Sequence, residues 1–461
     1  MEESKNINNI NNNTNDKDND NNTKSYILIE NGLINNKVQD LLIENNIIKK
    51  IGSNLLNKEN IKEIFKNNSN DNITIINGKN KVIIPGLINT HTHIPMTLFR
   101  GVADDIPLMD WLNNYIWKLE GNLNEKIVYD ATLLGCVEMI KSGTTTFNDM
   151  YFYIDSIVKA VEKADIRAFL GYGMIDLFDE EKREKELKEC VNTVENINKL
   201  NNPLIKPTIT PHAPYTCSKE LLEKSKELAK KYNIPLHIHL NETIDEIKQI
   251  KEKTGMRPYE YLNSFNFFKD INVVSAHNVH LSNNEIKIIK NNKENIVISH
   301  NPISNLKLAS GIAPIHELLN NNITITLGTD GCGSNNNLNL FEEIKIASLI
   351  HKGNTLNSTV VNASQSFEFA TKNGAKALNL NSGILEQGML ADIVLINLNK
   401  PYLLPKENIY SHIVYSFNGV VDFVIINGKI ILENGKLINL DENKIIENGE
   451  KTYGKLIDKF N

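Results

Sequence analysis

Two hydrophobic rhythms divide this chain. Near both ends, short runs alternate apolar and polar residues with period two, the spacing of half-buried strands. SYILIENGLI from Ser25, DLLIENNIIKKIG from Asp40 and ITIINGKNKVIIPG from Ile73 make up the first group. ADIVLINL from Ala391 and VVDFVIINGKIILENGK from Val420 make up the second. Asn-Gly pairs at Asn31-Gly32, Asn77-Gly78, Asn427-Gly428 and Asn434-Gly435 predict tight turns within them. Together they predict one small β-sandwich formed by both chain ends, residues 25–84 and 386–440, with a charged surface helix over 441–461.

Between the two groups, compact apolar runs alternate with helical periods. The runs fall at 83–91, 144–148, 167–174, 205–211, 235–240, 272–277, 295–300 and 323–329. EKIVYDATLLGCVEMIKSG and SKELLEKSKELAKKYN carry the 3.6-residue period, and Ser218 is a good N-cap for the second. Eight strands with intervening helices predict an α/β fold, a (β/α)8 TIM barrel over residues 85–385. A doubly wound open sheet also alternates, but no G-x-G-x-x-G follows the first strand.

Composition narrows the picture. Ten of the first twenty-three residues are Asn, so residues 1–24 predict a disordered Asn-rich leader. At 461 residues, 41% hydrophobic and 23% charged, the remainder can bury a sizeable core. Fifty Lys and Arg against fifty-six Asp and Glu leave a net charge of −6, without the basic excess of a nucleic-acid binder. No apolar run approaches the roughly 18 residues of a membrane span. The start, MEESKNINNI, carries no secretion signal, which predicts a cytoplasmic protein. The four cysteines form no CxxC pair, which speaks against a disulfide framework and a thiolate metal site.

The histidines and acids carry the chemistry. His91 and His93 end the first predicted strand in NTHTH, and period two sends both to one face. His239 ends the fifth strand, His277 the sixth and Asp330 the eighth. All five converge on the C-terminal mouth of the predicted barrel, where barrel enzymes keep their active sites. A lone His is usually a core residue; four His and one Asp at strand ends predict a metal site. Nitrogen and oxygen ligands suit Zn2+ or Fe2+. Asp330 can serve as ligand and proton acceptor, and His277 can orient or polarise a water. Glu242, just past the fifth strand, reads either as a proton shuttle or as a solvated acid at a helix start. His237 reads as a packed core residue and His300 as a wall of the site. His280, His316, His351 and His412 have no strand-end placement. Cys217 and Cys332 read as packing residues, and Asn335, Asn336 and Asn337 as a loop.

The segments PGLINTHTHIPMTLFRG, IHLNET, SAHNVHL, SHNPISNLKLASGIAPI and LGTDGCGSNNNLNLFEE resemble the amidohydrolase superfamily over residues 25–455. Within it they are most similar to the 5-methylthioadenosine/S-adenosylhomocysteine deaminases, especially the branch acting on 5′-deoxyadenosine in methanogenic archaea. The resemblance implies one divalent metal per subunit, zinc or Fe2+, held by His91, His93, His239 and Asp330. It implies Glu242 as the acid/base at the ring nitrogen and His277 as the helper at the water. In MDWLNNYIWKLEGNL it implies that Glu120 binds the ribose hydroxyls and Trp111 lines the pocket, although a core role suits Trp111 equally well. His212, in TPHAPYTCS, matches a substrate-binding histidine.

Members that handle S-adenosylhomocysteine have an Arg where LGYGM places Tyr172, with Arg183 as a candidate second cation. The substrates implied are 5′-deoxyadenosine, 5′-methylthioadenosine, S-adenosylhomocysteine and adenosine, in recycling of S-adenosylmethionine-derived by-products, by a homo-oligomer, a tetramer on the family's pattern. Guanine or cytosine deaminase and triazine hydrolase types are the alternatives. Binuclear relatives require a carbamylated Lys at the end of strand four, but Lys206 stands at its beginning and His212 at its end. A non-catalytic homologue would have lost ligands that this chain keeps. The H-x-E…P-C-x-x-C signature of cytidine deaminases is absent.

Overall fold

All eight strands expected in the middle of the chain are present in the computed structural model, which describes residues 5–6, 24–55, 72–106 and 108–460. The leader falls almost wholly outside the described residues; within it, Lys5–Asn6 pairs antiparallel with the strand Asn72–Asn77. The first expected strand is in fact two. Lys81–Pro85 joins the sheet of the chain ends and Leu87–Thr92 runs toward the site, with Gly86 between them. A Cβ on Gly86 would stand 2.1 Å from the Thr145 hydroxyl oxygen, so this crossing point admits only glycine.

The eight strands form two parallel sheets. One holds Leu87–Thr92, Thr144–Tyr151, Arg167–Met174 and a fourth strand split into Ile205–Pro207 and Thr210–Pro211. The other holds Leu236–Leu240, Val273–His277, Ile296–His300 and Thr324–Leu327. A single closed sheet, the sequence expectation, is not seen. Pro207 and Pro211 lack the N–H a continuous ladder needs, so the fourth strand meets the fifth through one isolated bridge, Ile209 to Leu236. At the other seam side chains replace the ladder. Thr90 donates to the Leu327 carbonyl at 2.9 Å, and Asn89 bonds both the Thr329 hydroxyl and its N–H. The result is a mixed α/β fold of the barrel type.

Both chain ends contribute to one ten-stranded sheet rather than to two separate layers. It stays one sheet because Ser25–Ile34 pairs with Asn72–Asn77 and Lys37–Glu44 and touches Lys81–Pro85 at Leu33 and Val82. Period two shows directly in its cores, with Ile27, Ile29, Ile83, Ile393 and Ile425 buried together and Tyr26, Leu28 and Leu42 in a separate cluster. Asn427-Gly428 and Asn434-Gly435 are turns as expected, each with positive φ at both residues. Asn31-Gly32 is not; it lies within Ser25–Ile34 at a bulge, and the chain reverses at Asn35-Asn36, both at positive φ. Asn77-Gly78 likewise ends a strand, the turn itself falling at Lys79-Asn80.

Helix Glu125–Lys141 and helix Lys219–Tyr232 match the sequence reading, and the Ser218 side chain accepts the Leu221 N–H as N-cap. Helix Glu442–Phe460 packs against Glu125–Lys141, burying Ile445 and Leu456 and joining Thr452 to Asp130. No helix among the described residues is long and apolar enough to cross a membrane.

One buried ion pair ties the end sheet to the strand bundle. Arg167, at the start of the third strand, donates from Nε and Nη2 to the two oxygens of Asp392, each at 3.1 Å. Asp392 also accepts the Asn427 N–H at 2.7 Å. Removing one partner strands the other charge in a dry interior. Asp392→Ala therefore lowers the free energy of unfolding by about 3–5 kcal/mol, read from denaturant midpoints. A loss under about 1 kcal/mol would show that the pair does not hold the two parts together.

Candidate active site

Each candidate ligand stands where a strand ends. His91 lies near the end of Leu87–Thr92 and His93 just beyond it, and the pleat turns both rings to one side. His239 comes from Leu236–Leu240 and His277 closes Val273–His277. Asp330 follows Thr324–Leu327 by three residues and reaches the others because Gly328 lets two backbones touch. A Cβ on Gly328 would sit 2.6 Å from the Cβ of His91. The Asp330 N–H then donates to the His91 carbonyl at 3.0 Å. His277 and Asp330 hold φ of 70° and 65°, a left-handed strain that tertiary packing must over-determine.

The proton positions define the centre. His93 donates Nδ1–H to the Met150 carbonyl at 2.7 Å, and His239 donates its own to the His212 carbonyl at 2.8 Å. A neutral imidazole protonated on Nδ1 carries a lone pair on Nε2. Two such lone pairs, of His93 and His239, face each other across 3.2 Å. His91 Nε2 is buried without a hydrogen-bond partner, and Asp330 Oδ1 lies 3.4 Å from both it and His93 Nε2. Converging lone pairs repel unless a cation sits among them, so the donor set fits a divalent ion of the Zn2+ or Fe2+ kind. Burial pushes His91 down to about 4 and His239 well below the usual imidazole range, keeping both in the neutral form a metal requires.

The acids around this centre are driven apart. Burial pushes the Asp330 carboxyl up, but the facing imidazoles of His91, His277 and His93 outweigh it and hold it well below its ordinary value. Burial raises Glu242. His277 is raised as well, because Glu242 and Asp330 overcome its own burial. Its Nε2 lies 3.8 Å from Glu242 Oε2 and 4.0 Å from Asp330 Oδ2, while Nδ1 is held 2.9 Å from Asn305 Oδ1. Asp330 Oδ2 accepts from Ser304 at 2.6 Å. Two carboxyl groups of opposite tendency in one cavity are what acid/base chemistry at neutral pH needs.

The cavity above the centre is lined by Trp111, Glu120, Tyr151, Phe152, His212 and Glu242, among others. Trp111 and Glu120 reach it because residues Leu112–Ile116 form a π turn between two short α segments. That turn puts Trp111, Ile116 and Glu120, five and four residues apart, on one face. Burial raises Glu120 to about 7 beside the Tyr151 hydroxyl. His212 holds Nδ1 2.8 Å from the Thr216 hydroxyl, which itself donates to the Ala213 carbonyl. Thr216 therefore accepts from Nδ1–H, leaving His212 Nε2 as an acceptor.

Several residues stand elsewhere than the sequence suggested. Tyr172 is not on the cavity wall; its hydroxyl donates to Glu186 at 3.4 Å on the outer helix Glu180–Leu200, because Gly173, one residue on, takes the inner face. Arg183 does not line the cavity either, lying 3.5 Å from the Ser218 hydroxyl and 3.9 Å from Glu220. His300 is no wall of the site, since its ring turns away to pair with His351 at 3.0 Å. Asn335 belongs to the helical turn Cys332–Asn335 and donates to the Thr329 carbonyl and Glu343, bracing Asp330 from behind.

Sequence reasoning missed Glu246, which accepts the N–H groups of Asn241 and Glu242 and so aims Glu242. The T-I-D-E start at Thr243 was its readable signal, a capping-box pattern. Ile175 and Leu308 also line the cavity, and nothing local in the sequence marks either.

The sequence model of the amidohydrolase family matches residues 82–431. The chain is similar to the 5′-deoxyadenosine deaminase of Methanococcus aeolicus, 73% identical over 431 residues, 94% of this chain and 99% of that one. It is 64% identical to the protein of the same name from Methanocaldococcus jannaschii, over 93% of this chain and 99% of the other. Among solved structures it is similar to an adenosine deaminase of Xanthomonas campestris with bound zinc. There the TM-score is 0.84 and the identity 29%, covering 94% of this chain and 98% of that one.

Glu120 yields a pH test with a definite sign. Its carboxyl rises from an ordinary 4.5 to about 7, so between those values the folded form keeps a proton that the unfolded chain has released. Stability contributed by the neutral form is thus lost as pH climbs through that window. Glu120→Gln has no proton to lose. Its Tm matches wild type below pH 4.5, gains a few degrees on it between pH 4.5 and 7, and holds the gain above. A pH-independent difference would place the Glu120 carboxyl in water.

Proposed function

The chain belongs to the amidohydrolase family and is a hydrolase acting on C–N bonds; on that premise we propose that it is a metal-dependent deaminase converting 5′-deoxyadenosine to its inosine-type product and ammonia. The observation that carries this reading is the placement of His277 between Glu242, at 3.8 Å, and Asp330, at 4.0 Å, beside the cluster of His91, His93 and His239. Identity to relatives named for this activity, along nearly the whole chain, supports it. The strand bundle is read as a (β/α)8 barrel, with its two seams bridged by the hydrogen bonds described above, and both chain ends as its flanking β domain.

His91, His93, His239 and Asp330 would hold the metal, taken as zinc, and a divalent ion bound there would lower the pKa of a water molecule toward neutrality. Asp330 accepts the proton of the attacking water while His277, fixed through Asn305, keeps that water aimed at C6 of the adenine ring. Glu242, whose carboxyl burial pushes above its ordinary value, delivers a proton to N1 as the C6–O bond forms. The water proton taken by Asp330 passes to the exocyclic nitrogen, the C6–N bond breaks and ammonia leaves, while the remaining hydroxyl proton returns to Glu242 and the C6 carbonyl of the product forms. Glu120 accepts from the vicinal ribose hydroxyls, and His212 Nε2 accepts a further donor.

No Lys or Arg lines the cavity among the described residues, whereas Asp245 and Glu246 do, with Ile175 and Leu308 as apolar walls. An amino-acid carboxylate finds no partner there. Small uncharged 5′ groups therefore fit best, with 5′-methylthioadenosine and adenosine also accepted and S-adenosylhomocysteine least favoured.

Two measurements test the proposal. Glu242→Gln lowers kcat for 5′-deoxyadenosine by about 100- to 10,000-fold with metal content unchanged. A near-wild-type kcat would remove Glu242 from proton transfer. In wild type, kcat/KM for 5′-deoxyadenosine exceeds that for S-adenosylhomocysteine, and Ile175→Arg moves the ratio about tenfold toward the latter, roughly one charged contact after desolvation. Ammonia release from guanine or cytosine but not from adenine nucleosides would overturn the substrate class.

A further inference from the structure

We infer that His237 is a positioning residue that selects the tautomer of His91; this rests on the metal-dependent reading above. His237 lies on the strand Leu236–Leu240, two residues before His239, so it shares the inward face one layer deeper. Its Nε2 stands 2.7 Å from His91 Nδ1, and both residues are fully buried.

His93 and His239 have their protons placed for them, because a carbonyl can only accept. His91 is different. Its Nδ1 faces another imidazole, which can donate or accept. If His237 donates, the remaining proton of His91 sits on Nε2, aimed at Asp330, and the lone pair at the centre is gone. If His237 accepts, His91 keeps its proton on Nδ1 and offers Nε2 beside the nitrogens of His93 and His239. A ligand role for His91 therefore requires His237 as acceptor.

Packing alone does not account for a histidine here. His237 Nδ1 has no hydrogen-bond partner. A leucine or phenylalanine would fill the same space without burying an orphaned polar atom. The polar side chain is explained by what its other nitrogen does to His91. Outer partners of this kind orient metal-binding histidines, and losing one typically weakens metal binding by about 10–100-fold.

The test compares His237→Gln, which places an amide near the position of Nε2, with His237→Phe, which keeps a ring and removes the acceptor. Circular dichroism and the Tm of the metal-free proteins first establish that both fold. Zinc affinity is then measured by chelator competition, and the visible spectrum is recorded after cobalt substitution. The Phe variant binds zinc about 10–100-fold more weakly and shows an altered cobalt spectrum, while Gln stays within about threefold of wild type with a wild-type-like spectrum. Wild-type affinity in the Phe variant overturns the inference. So does an equal loss in both variants, since ring packing and not the acceptor would then be what matters. A wild-type protein that takes up no divalent ion overturns the metal-dependent reading and this inference with it.

Discussion

Imidazole nitrogens aimed at one another in a dry interior are the arrangement around which the rest of this molecule is organised. Left to themselves, the Nε2 atoms of His93 and His239, 3.2 Å apart, would turn away toward any donor. They cannot, because each ring is anchored from behind by a backbone carbonyl. Those carbonyls belong to Met150 and His212, at the ends of the second and fourth strands, so the geometry of the centre is set by where neighbouring strands stop. The left-handed backbone at His277 and Asp330, and the bare Gly328 that lets two strands touch, follow from the same demand.

That constraint also explains the electrostatics. Burial keeps His91 and His239 neutral, and neutrality is useful only if something else supplies charge. Asp330 supplies it from one side, held ionised by the imidazoles it faces. Glu242 and Glu120 sit farther along the cavity, where burial favours their protonated forms. The site thus sets a raised Glu242 against a lowered Asp330, two carboxyl groups that differ in their neighbours. The absence of Lys and Arg from the cavity lining, among the described residues, completes the pattern: no lysine or arginine there competes for Asp330 or pairs with a second anion.

The scaffold serves precision at the strand ends. A fourth strand interrupted by prolines and a seam closed by Thr and Asn side chains leave the two sheets joined by few backbone bonds. The end sheet adds rigidity from below through Arg167 and Asp392, which tie the start of the third strand to residues more than two hundred positions later. Helix Glu442–Phe460 braces the bundle from outside in the same way, across Asp130 and Thr452.

The sequence by itself determined what depends on local spacing. Compact apolar runs between helical periods located every strand of the bundle, and the two-residue step from His91 to His93 forced both rings to one side. Strand ends located His239, His277 and Asp330, and the N-cap at Ser218 was legible in the residue itself. The motifs around these positions identified the family, which the family match bore out. Only the tertiary structure decided what depends on partners far along the chain. Asn31-Gly32 reads locally as a turn, but cross-strand pairing makes it a bulge. Tyr172 sits beside the inward-facing Gly173, and one step along a strand reverses the face, so Ile175 and not Tyr172 meets the cavity. His237 looks like a core residue until His91, 146 positions earlier, arrives at 2.7 Å. Periodicity records which way a side chain points; it carries no information about what will be waiting there.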